Sequence, residues 1–131
     1  MRLYLVRHAE AAQLEPDELR PLTSAGREQA RALGKQLAAD GIRPDVVLTS
    51  PLLRARETGA EIAKATGTSA EPDERLAPGA TAESVRAAVE GRGDRVVVVG
   101  HQPDCGRVAA ALTGGDEPPF PAGGMRVVEL P

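Results

Sequence analysis

The 131-residue chain contains two histidines, and each one follows a run of apolar residues with the length of a β-strand. His8 comes after Leu3–Val6 with Arg7 between them, and His101 comes one glycine after Val96–Val99. Imidazole titrates near neutral pH and can act as a nucleophile, a proton carrier or a hydrogen-bond donor. For either histidine alone, a helix cap or a loop position is the simpler explanation. Two histidines that both follow strands favour a shared site, because ligands of open α/β sheets bind beyond the carboxyl ends of the strands.

Arginines near these strand ends indicate that the ligand is an anion. Arg7 precedes the first histidine, and Arg54 follows the apolar run Val46–Leu48 near the start of a predicted helix. Guanidinium groups bind phosphate oxygens bidentately, and helix N-termini add backbone N–H donors. Arg56 and Arg107 are expected instead on solvated helix faces or in surface ion pairs.

Strands and helices alternate along the chain and must bring these side chains together. The predicted elements are strand Leu3–Val6, a helix from Thr23-Ser24 to Asp40-Gly41, strand Val46–Leu48, a helix from Ser50-Pro51 to about Thr66-Gly67, a weak extended stretch Ala70–Asp73, a helix from Thr81 to about Glu90, strand Val96–Val99, a helix from Pro103 to Gly114-Gly115, and strand Met125–Leu130. The helices show apolar residues at helical spacing, with Gly or Pro near their ends. Thr81 offers only a poor capping box, because the acid that follows it comes too early.

The apolar runs of the strands are continuous rather than alternating, which is typical of strands buried on both faces. Together with the β-α-β-α order, this predicts an α/β fold: a three-layer α/β/α sandwich with a mostly parallel central sheet. We expect residues 1–131 to form one domain. The Pro- and Gly-rich stretch 114–124 is expected to be a surface loop before an edge strand.

Composition excludes several classes of protein. The net charge of −3 argues against a general nucleic-acid binder, and a single cysteine cannot form an internal disulfide. No apolar run reaches the ~18 residues that a membrane span needs. These features predict a cytoplasmic protein without membrane or nucleic-acid partners, and they leave its oligomeric state open.

Four segments of the sequence resemble the histidine phosphatase superfamily, also called phosphoglycerate-mutase-like. They are residues 5–10 (LVRHAE), 22–30 (LTSAGREQA), 50–58 (SPLLRARET) and 99–101 (VGH), in the order and spacing of that family. The short chain and the segment 20–23 (RPLT) are most similar to its small phosphohistidine-phosphatase branch. Ala9 departs from the pattern, because the family usually has glycine there. Its methyl group is expected to fit if the local φ is negative.

The resemblance implies that the chain is a phosphatase. His8 is then the nucleophile that forms a phosphohistidine intermediate, which water hydrolyses. The implied catalytic and substrate-binding residues around it are Arg7, Arg54, His101, Arg20 and Gln102. No metal or other cofactor is expected, because arginines and a cationic imidazole can supply the positive field that phosphoryl transfer needs.

The general acid is the least determined part of the predicted site. Larger relatives carry a Glu or Asp on an insertion between the second arginine and the second histidine, and this chain has only a modest segment there. Asp17 is the best candidate, since it matches a position near the site in the small branch, but an ordinary loop carboxylate explains it equally well. Glu74 and Glu83 are expected to be solvated, and Glu10 need not face the pocket of its neighbour.

Other chemistries fit the sequence less well. A zinc deaminase is suggested by the H-x-E pattern at 8–10, but after Cys105 the second cysteine of that motif is absent. A cysteine phosphatase requires arginine six residues after its cysteine, where this chain has Ala111, so Cys105 is expected to be a buried hydrophobe. The predicted substrate is phosphohistidine on a protein. The alternatives are a phosphomonoesterase acting on a small phosphorylated metabolite, and a non-catalytic phosphate-binding module.

Overall fold

The computed structural model describes residues 1–131 and contains a five-stranded sheet with helices on both faces. The strands are β1 (Arg2–Arg7), β2 (Val46–Thr49), β3 (Ala70–Pro72), β4 (Arg95–Gly100) and β5 (Met125–Glu129). The helices are α1 (Ser24–Ala39), α2 (Leu53–Thr66), α3 (Ala82–Val89) and α4 (Asp104–Thr113). The prediction of a three-layer α/β/α sandwich is confirmed.

The strand order is β3-β2-β4-β1-β5, with every neighbouring pair parallel except the edge pair of β1 and β5. Strand β4 therefore lies between β2 and β1, and Val99 pairs with Val6 on one side and with Thr49 on the other. The carboxyl ends of these three strands lie side by side at one edge of the sheet. That edge receives the residues that follow each strand.

Both faces of the sheet are buried, as the continuous apolar runs predict. Leu3 and Leu5 of β1 pack with Val96 and Val98 of β4 towards α3 and α4. The alternate residues of the same strands, including Tyr4 and Val97, pack towards α1 and α2. Because successive strand side chains point to opposite faces, both strands are apolar at every central position.

The helix boundaries follow local hydrogen-bonding chemistry. Thr23 caps α1 by accepting the N–H of Gly26 at 3.0 Å, and α1 ends before Gly41, which has φ +72°. The predicted start of α2 at Ser50-Pro51 is wrong: the helix begins at Leu53, because Ser50 and the two residues after it form a turn in which Leu52 N–H donates to Ser50 Oγ.

The expected weakness of the α3 start is also wrong. Thr81 forms a reciprocal capping box with Ser84: the Thr81 hydroxyl accepts the N–H of Ser84, and the Ser84 hydroxyl accepts the N–H of Thr81. Serine at the third helical position can replace the usual acid because its hydroxyl also accepts a backbone hydrogen bond.

The stretch 114–124 is more than a surface loop. It does precede the edge strand β5, as predicted, but it buries the single phenylalanine of the chain, Phe120, in the core under α4. Its last residue, Gly124, accepts the N–H of Arg7 at 3.0 Å. The apolar ring ties the loop down against the end of β1.

Two smaller expectations can be compared with the structure. Cys105 is buried on α4 with a pKa raised to about 12 by burial, as expected for a small core residue. No helix combines the length and apolar character needed to cross a membrane.

Candidate active site

His8 lies just beyond the end of β1, held by backbone hydrogen bonds on both sides. Its N–H donates to Gly100 O at 2.9 Å, and its carbonyl accepts the N–H of Gly123. Its imidazole Nδ1 lies 2.7 Å from the carbonyl oxygen of Ala9. A carbonyl can only accept, so Nδ1 carries the proton and Nε2 has a free lone pair.

The charge state of His8 suits a nucleophile. The pKa of His8 is lowered to about 4, mainly by burial; the hydrogen bond to Ala9 opposes this shift, and the positive charges of Arg54 and Arg7 add to it. The imidazole is therefore neutral at physiological pH and its Nε2 lone pair is available.

The turn after His8 is fixed from two directions. Ala9 is fully buried, and its N–H donates to Thr58 Oγ1 on α2 at 3.0 Å. Gly26 on α1 lies directly against the main chain of Glu10, where a Cβ atom would overlap the carbonyl oxygen. No residue other than glycine has a positive φ, so the methyl group of Ala9 is accommodated without strain, as expected.

Arg7 points from the end of β1 towards the loop that carries Phe120. Its Nη1 donates to the carbonyl oxygen of Phe120 at 3.0 Å, while its Nε is buried without a hydrogen-bond partner. A buried N–H group without a partner is costly, and a bound anion can satisfy it.

The two arginines of α2 differ in their surroundings, as the sequence predicts. Arg54 is buried, and its side chain is only 8% exposed, whereas Arg56 is exposed to solvent. Arg54 Nη1 donates to the backbone oxygen of Asp17 at 2.9 Å, and Nη2 lies 3.2 Å from the Asp17 carboxylate. Its Nε, like that of Arg7, is buried without a partner.

Asp17 lies in a short 3₁₀ turn, Asp17–Leu19, and joins two arginines of the site. One carboxylate oxygen accepts from Arg20 Nη1 at 3.1 Å, and the other faces Arg54. The hydrogen bond from Arg20 is the main cause that lowers the pKa of Asp17. In this state Asp17 is an ionised acceptor and not a proton donor, so its role as a general acid stays a prediction.

Arg20 is itself held at the rim of the site. Its Nε donates to the carbonyl oxygen of Ala12 at 2.7 Å, and its charge contributes to lowering the pKa of His8. The guanidinium is therefore close enough to His8 to affect it electrostatically. Its predicted contact with substrate stays a prediction.

His101 faces His8 from the end of β4, with 5.2 Å between the ring centres and 59° between the ring planes. Its Nε2 lies 2.7 Å from Ser50 Oγ, and its Nδ1 is buried without a partner. Burial lowers the pKa of His101 to about 3, with smaller contributions from His8 and Arg54. In the free protein the imidazole of His101 is therefore neutral at physiological pH, because a buried ring beside arginines loses its proton, and the cationic imidazole expected during phosphoryl transfer stays a prediction.

Gln102 has a local structural role that the sequence did not indicate. Its Oε1 accepts the N–H of Gly106 at 2.8 Å and so caps the first turn of α4. The predicted contact of Gln102 with substrate stays a prediction. The carboxylates considered as other acids, Glu10, Glu74 and Glu83, are exposed.

Three contributions to the site were missed from the sequence: the hydroxyls of Ser50 and Thr58, and the carbonyl of Phe120. Ser50 directly follows an apolar strand, which was a usable signal. Thr58 lies one helical turn after Arg54, and its hydroxyl donates to Arg54 O while it accepts Ala9 N–H. Nothing in the local sequence indicates that the carbonyl of Phe120 meets Arg7, 113 residues away.

The assembled site can bind a tetrahedral oxyanion beside a neutral imidazole. Arg7 Nε, Arg54 Nε and His101 Nδ1 are three of the four buried side-chain polar atoms that lack a partner. Phosphoryl transfer depends mainly on positioning and on neutralising charge, and these groups can do both. The structure contains no group of three or more His, Cys, Asp or Glu side chains arranged to hold a metal ion.

Comparison with known proteins places this chain in a family. The family model described as the histidine phosphatase superfamily (branch 1) matches residues 3–78. The phosphohistidine phosphatase SixA of Escherichia coli (strain K12) is 31% identical over 127 residues, which cover 92% of this chain and 79% of that protein. An uncharacterized protein of a Picosynechococcus species is 37% identical over 124 residues, covering 88% of this chain and 74% of the relative.

The fold comparison agrees with the sequence comparison. The solved structure of the protein histidine phosphatase SixA complexed with tungstate superposes with a TM-score of 0.89 at 29% identity. The match covers 99% of this chain and 88% of that chain. The likeness therefore extends well beyond residues 3–78, to the part of the chain that carries His101.

Proposed function

The chain belongs to the histidine phosphatase superfamily, and we propose that it is a phosphohistidine phosphatase that transfers the phosphoryl group of a phosphorylated protein to His8 and then to water. The observation that carries this proposal is the neutral His8, whose Nδ1 proton is bound to Ala9 O beside the unpartnered Nε atoms of Arg7 and Arg54. The SixA structure that matches the whole chain was solved with tungstate, a tetrahedral oxyanion similar in shape to phosphate.

In the first step, the Nε2 lone pair of His8 attacks phosphorus and forms an N–P bond while the bond to the leaving group breaks. The guanidinium groups of Arg7 and Arg54 neutralise the phosphoryl oxygens, and His101 Nδ1 donates a hydrogen bond to one of them. In the second step, water attacks phosphorus, inorganic phosphate leaves, and the lone pair returns to His8 Nε2. Arg20, at the rim, supplies further positive charge.

The leaving group favours phosphohistidine as the substrate. Asp17 is ionised and bound to arginines, so the site offers no protonated carboxyl group at that position. An alkoxide leaving group is strongly basic and requires a proton in the transition state. Imidazole has a conjugate-acid pKa of about 6.5, so a phosphorylated imidazole can arrive protonated and leave as a neutral ring.

Access to the site also favours a substrate still attached to a protein. The segment between Arg54 and His101 folds into α2, β3, α3 and β4, which all belong to the sheet or to its covering layers. The chain thus uses most of that segment for the sandwich, which leaves little of it to cover His8. We propose further that residues 1–131 act as one domain and that the protein works in the cytoplasm, where its one thiol, buried on α4, stays reduced.

The test compares kcat/KM for a phosphohistidine protein, p-nitrophenyl phosphate and a sugar phosphate, with His8→Asn as the inactive control and each assay repeated after prolonged EDTA treatment. We expect phosphohistidine to be fastest, the aryl phosphate intermediate and the sugar phosphate slowest, with little effect of EDTA. A faster sugar phosphate identifies a phosphomonoesterase instead. Binding of inorganic phosphate without turnover of any donor identifies a non-catalytic module.

A further inference from the structure

Ser50 is the only residue whose side chain forms a hydrogen bond with the imidazole of His101. Each polar atom of Ser50 has an identified hydrogen-bond partner. The residue is fully buried between β2 and α2. Its N–H donates to Val99 O, and its carbonyl accepts the hydroxyl of Thr49. Its own hydroxyl oxygen has two neighbours: Leu52 N–H at 3.2 Å and His101 Nε2 at 2.7 Å.

The proton of the Ser50 hydroxyl determines the tautomer of His101. A hydroxyl group has one donor and two acceptor positions, and Leu52 N–H uses one acceptor position. If His101 Nε2 also donated, the buried hydroxyl proton would have no acceptor, which is costly. The hydroxyl therefore donates to Nε2, and Nε2 takes part as a lone pair.

The other nitrogen of the ring follows from this assignment. A neutral imidazole carries one proton, so with Nε2 as acceptor the proton is on Nδ1. Burial keeps His101 neutral by lowering its pKa to about 3. Nδ1 is buried and has no protein partner, and the ring faces that of His8. The Nδ1–H group of His101 therefore has no hydrogen-bond acceptor within the protein.

We propose that Ser50 is a positioning residue, whose hydroxyl fixes His101 as the Nδ1–H tautomer and so presents a neutral hydrogen-bond donor to the phosphoryl group next to His8. The nature of the bound group rests on the proposed function, whereas the tautomer does not. Without the Ser50 hydroxyl the ring proton can move to Nε2. The Nδ1 lone pair then faces the phosphoryl oxygens and repels them.

The tautomer can be observed directly, because the chain has only two histidines and therefore four imidazole nitrogens. Long-range ¹H–¹⁵N spectra of wild-type protein at neutral pH, assigned with His8→Asn, distinguish protonated from unprotonated ring nitrogens. We expect Nδ1 of His101 to be protonated and Nε2 to be bare. A proton on Nε2, or on both nitrogens, in the wild type overturns the proposal without any activity measurement.

Variants test whether Ser50 is the cause. We expect Ser50→Ala to give a mixture of His101 tautomers and to lower kcat about tenfold or more with little change in KM, since the donor matters most in the transition state. Ser50→Thr keeps the hydroxyl and should restore the Nδ1–H signal. Thr66→Val is the matched control, because this substitution also removes a buried hydroxyl. The Thr66 hydroxyl donates only to Ile62 O, at the far end of α2.

Two results contradict this role. An unchanged Nδ1–H signal in Ser50→Ala shows that another group sets the tautomer, and an equal loss of kcat in Thr66→Val shows a general packing effect. Failure of the proposed function is distinguishable from both: the wild type then turns over no phosphohistidine protein, while its His101 spectrum still reports the tautomer.

Discussion

Polar and charged groups are paired differently at the two edges of the parallel part of the sheet, where the strands begin and where they end. At the edge where β1, β2 and β4 begin, polar groups satisfy one another: Asp45 accepts the N–H groups of Asp94 and Arg95, and Arg2 pairs with Glu129. At the edge where these strands end, the Nε atoms of two arginines and one imidazole nitrogen are buried without partners. Buried polar groups without partners are costly, and a bound anion can satisfy these three, so the second edge is suited to an anionic ligand.

The largest expected effect comes from replacing His8, the proposed nucleophile, at the carboxyl edge. His8→Ala should reduce turnover to background and prevent formation of the phosphoenzyme, and His8→Asn should do the same while largely preserving the fold. The measurement is trapping of acid-labile phosphate on the protein after mixing with a phosphohistidine donor. Acid-labile phosphate on the His8→Ala protein contradicts the assignment.

The two arginines of α2 allow the effect of removing a buried charge to be compared with that of removing an exposed charge. Arg54→Ala should cost ~2–4 kcal/mol of transition-state stabilisation, because it removes a buried charged contact to the phosphoryl group. Arg56→Ala should change kcat/KM by no more than about twofold, since its side chain is exposed to solvent. Steady-state kinetics on the two variants decide the matter, and similar losses in both refute the distinction.

The neutral histidines of the carboxyl edge make stability depend on pH. Their pKa values of about 4 for His8 and about 3 for His101 lie below the ordinary value, so the unfolded chain binds protons more readily than the folded one. Their stabilising effect is complete above about pH 6.5 and is lost as the pH falls towards these values. Near pH 5 the loss should be roughly 2 kcal/mol per histidine.

Urea unfolding at pH 7.5 and pH 5 measures this loss. His8→Asn should remove about half of it, because one of the two shifted groups is gone. If the variant and the wild type lose equal stability, the pH dependence arises elsewhere.

Asp17 tests whether the positive charge of the site is partly neutralised in the free protein. Its carboxylate occupies Arg20 and Arg54, where phosphoryl oxygens are expected to bind. Asp17→Asn should lower the inhibition constant of inorganic phosphate about two- to fivefold, as expected for loss of an exposed charge. Glu18→Gln, with the same change of charge on the next exposed residue, is the control. Weaker phosphate binding in Asp17→Asn means that the carboxylate chiefly holds Arg54 in position.

The smallest effect on activity is expected at the opposite edge. Asp45→Ala removes the acceptor for two backbone N–H groups, which lower the pKa of that carboxyl group, and should reduce the urea midpoint of unfolding. Because Asp45 lies at the amino ends of the strands, kcat/KM should stay unchanged. Asp45→Asn keeps one acceptor oxygen and should lose less stability. A clear fall in kcat/KM for Asp45→Ala would show that the two edges are coupled.

The sequence determined the layers of the fold and the choice of strand ends. Val96–Val99 and Leu3–Val6 are apolar at every position, and only strands covered on both faces bury such runs. The residues that follow them, Arg7, His8 and His101, could therefore be selected before the strand order was known. Arg54 could also be separated from Arg56, and in the structure Arg54 is buried whereas Arg56 is exposed.

Tertiary structure alone decided which partner each of these side chains has. Ser50 meets His101 across 51 positions, Asp17 meets Arg54 across 37, and the Phe120 carbonyl meets Arg7 across 113. The charge of His101 also depends on tertiary structure, because its pKa is set by how deeply the ring is buried and by His8 and Arg54 near it. Apolar periodicity reports which residues turn inward within one element. Contacts between elements, and the protonation states that follow from them, depend on strand order and helix packing, which no local pattern encodes.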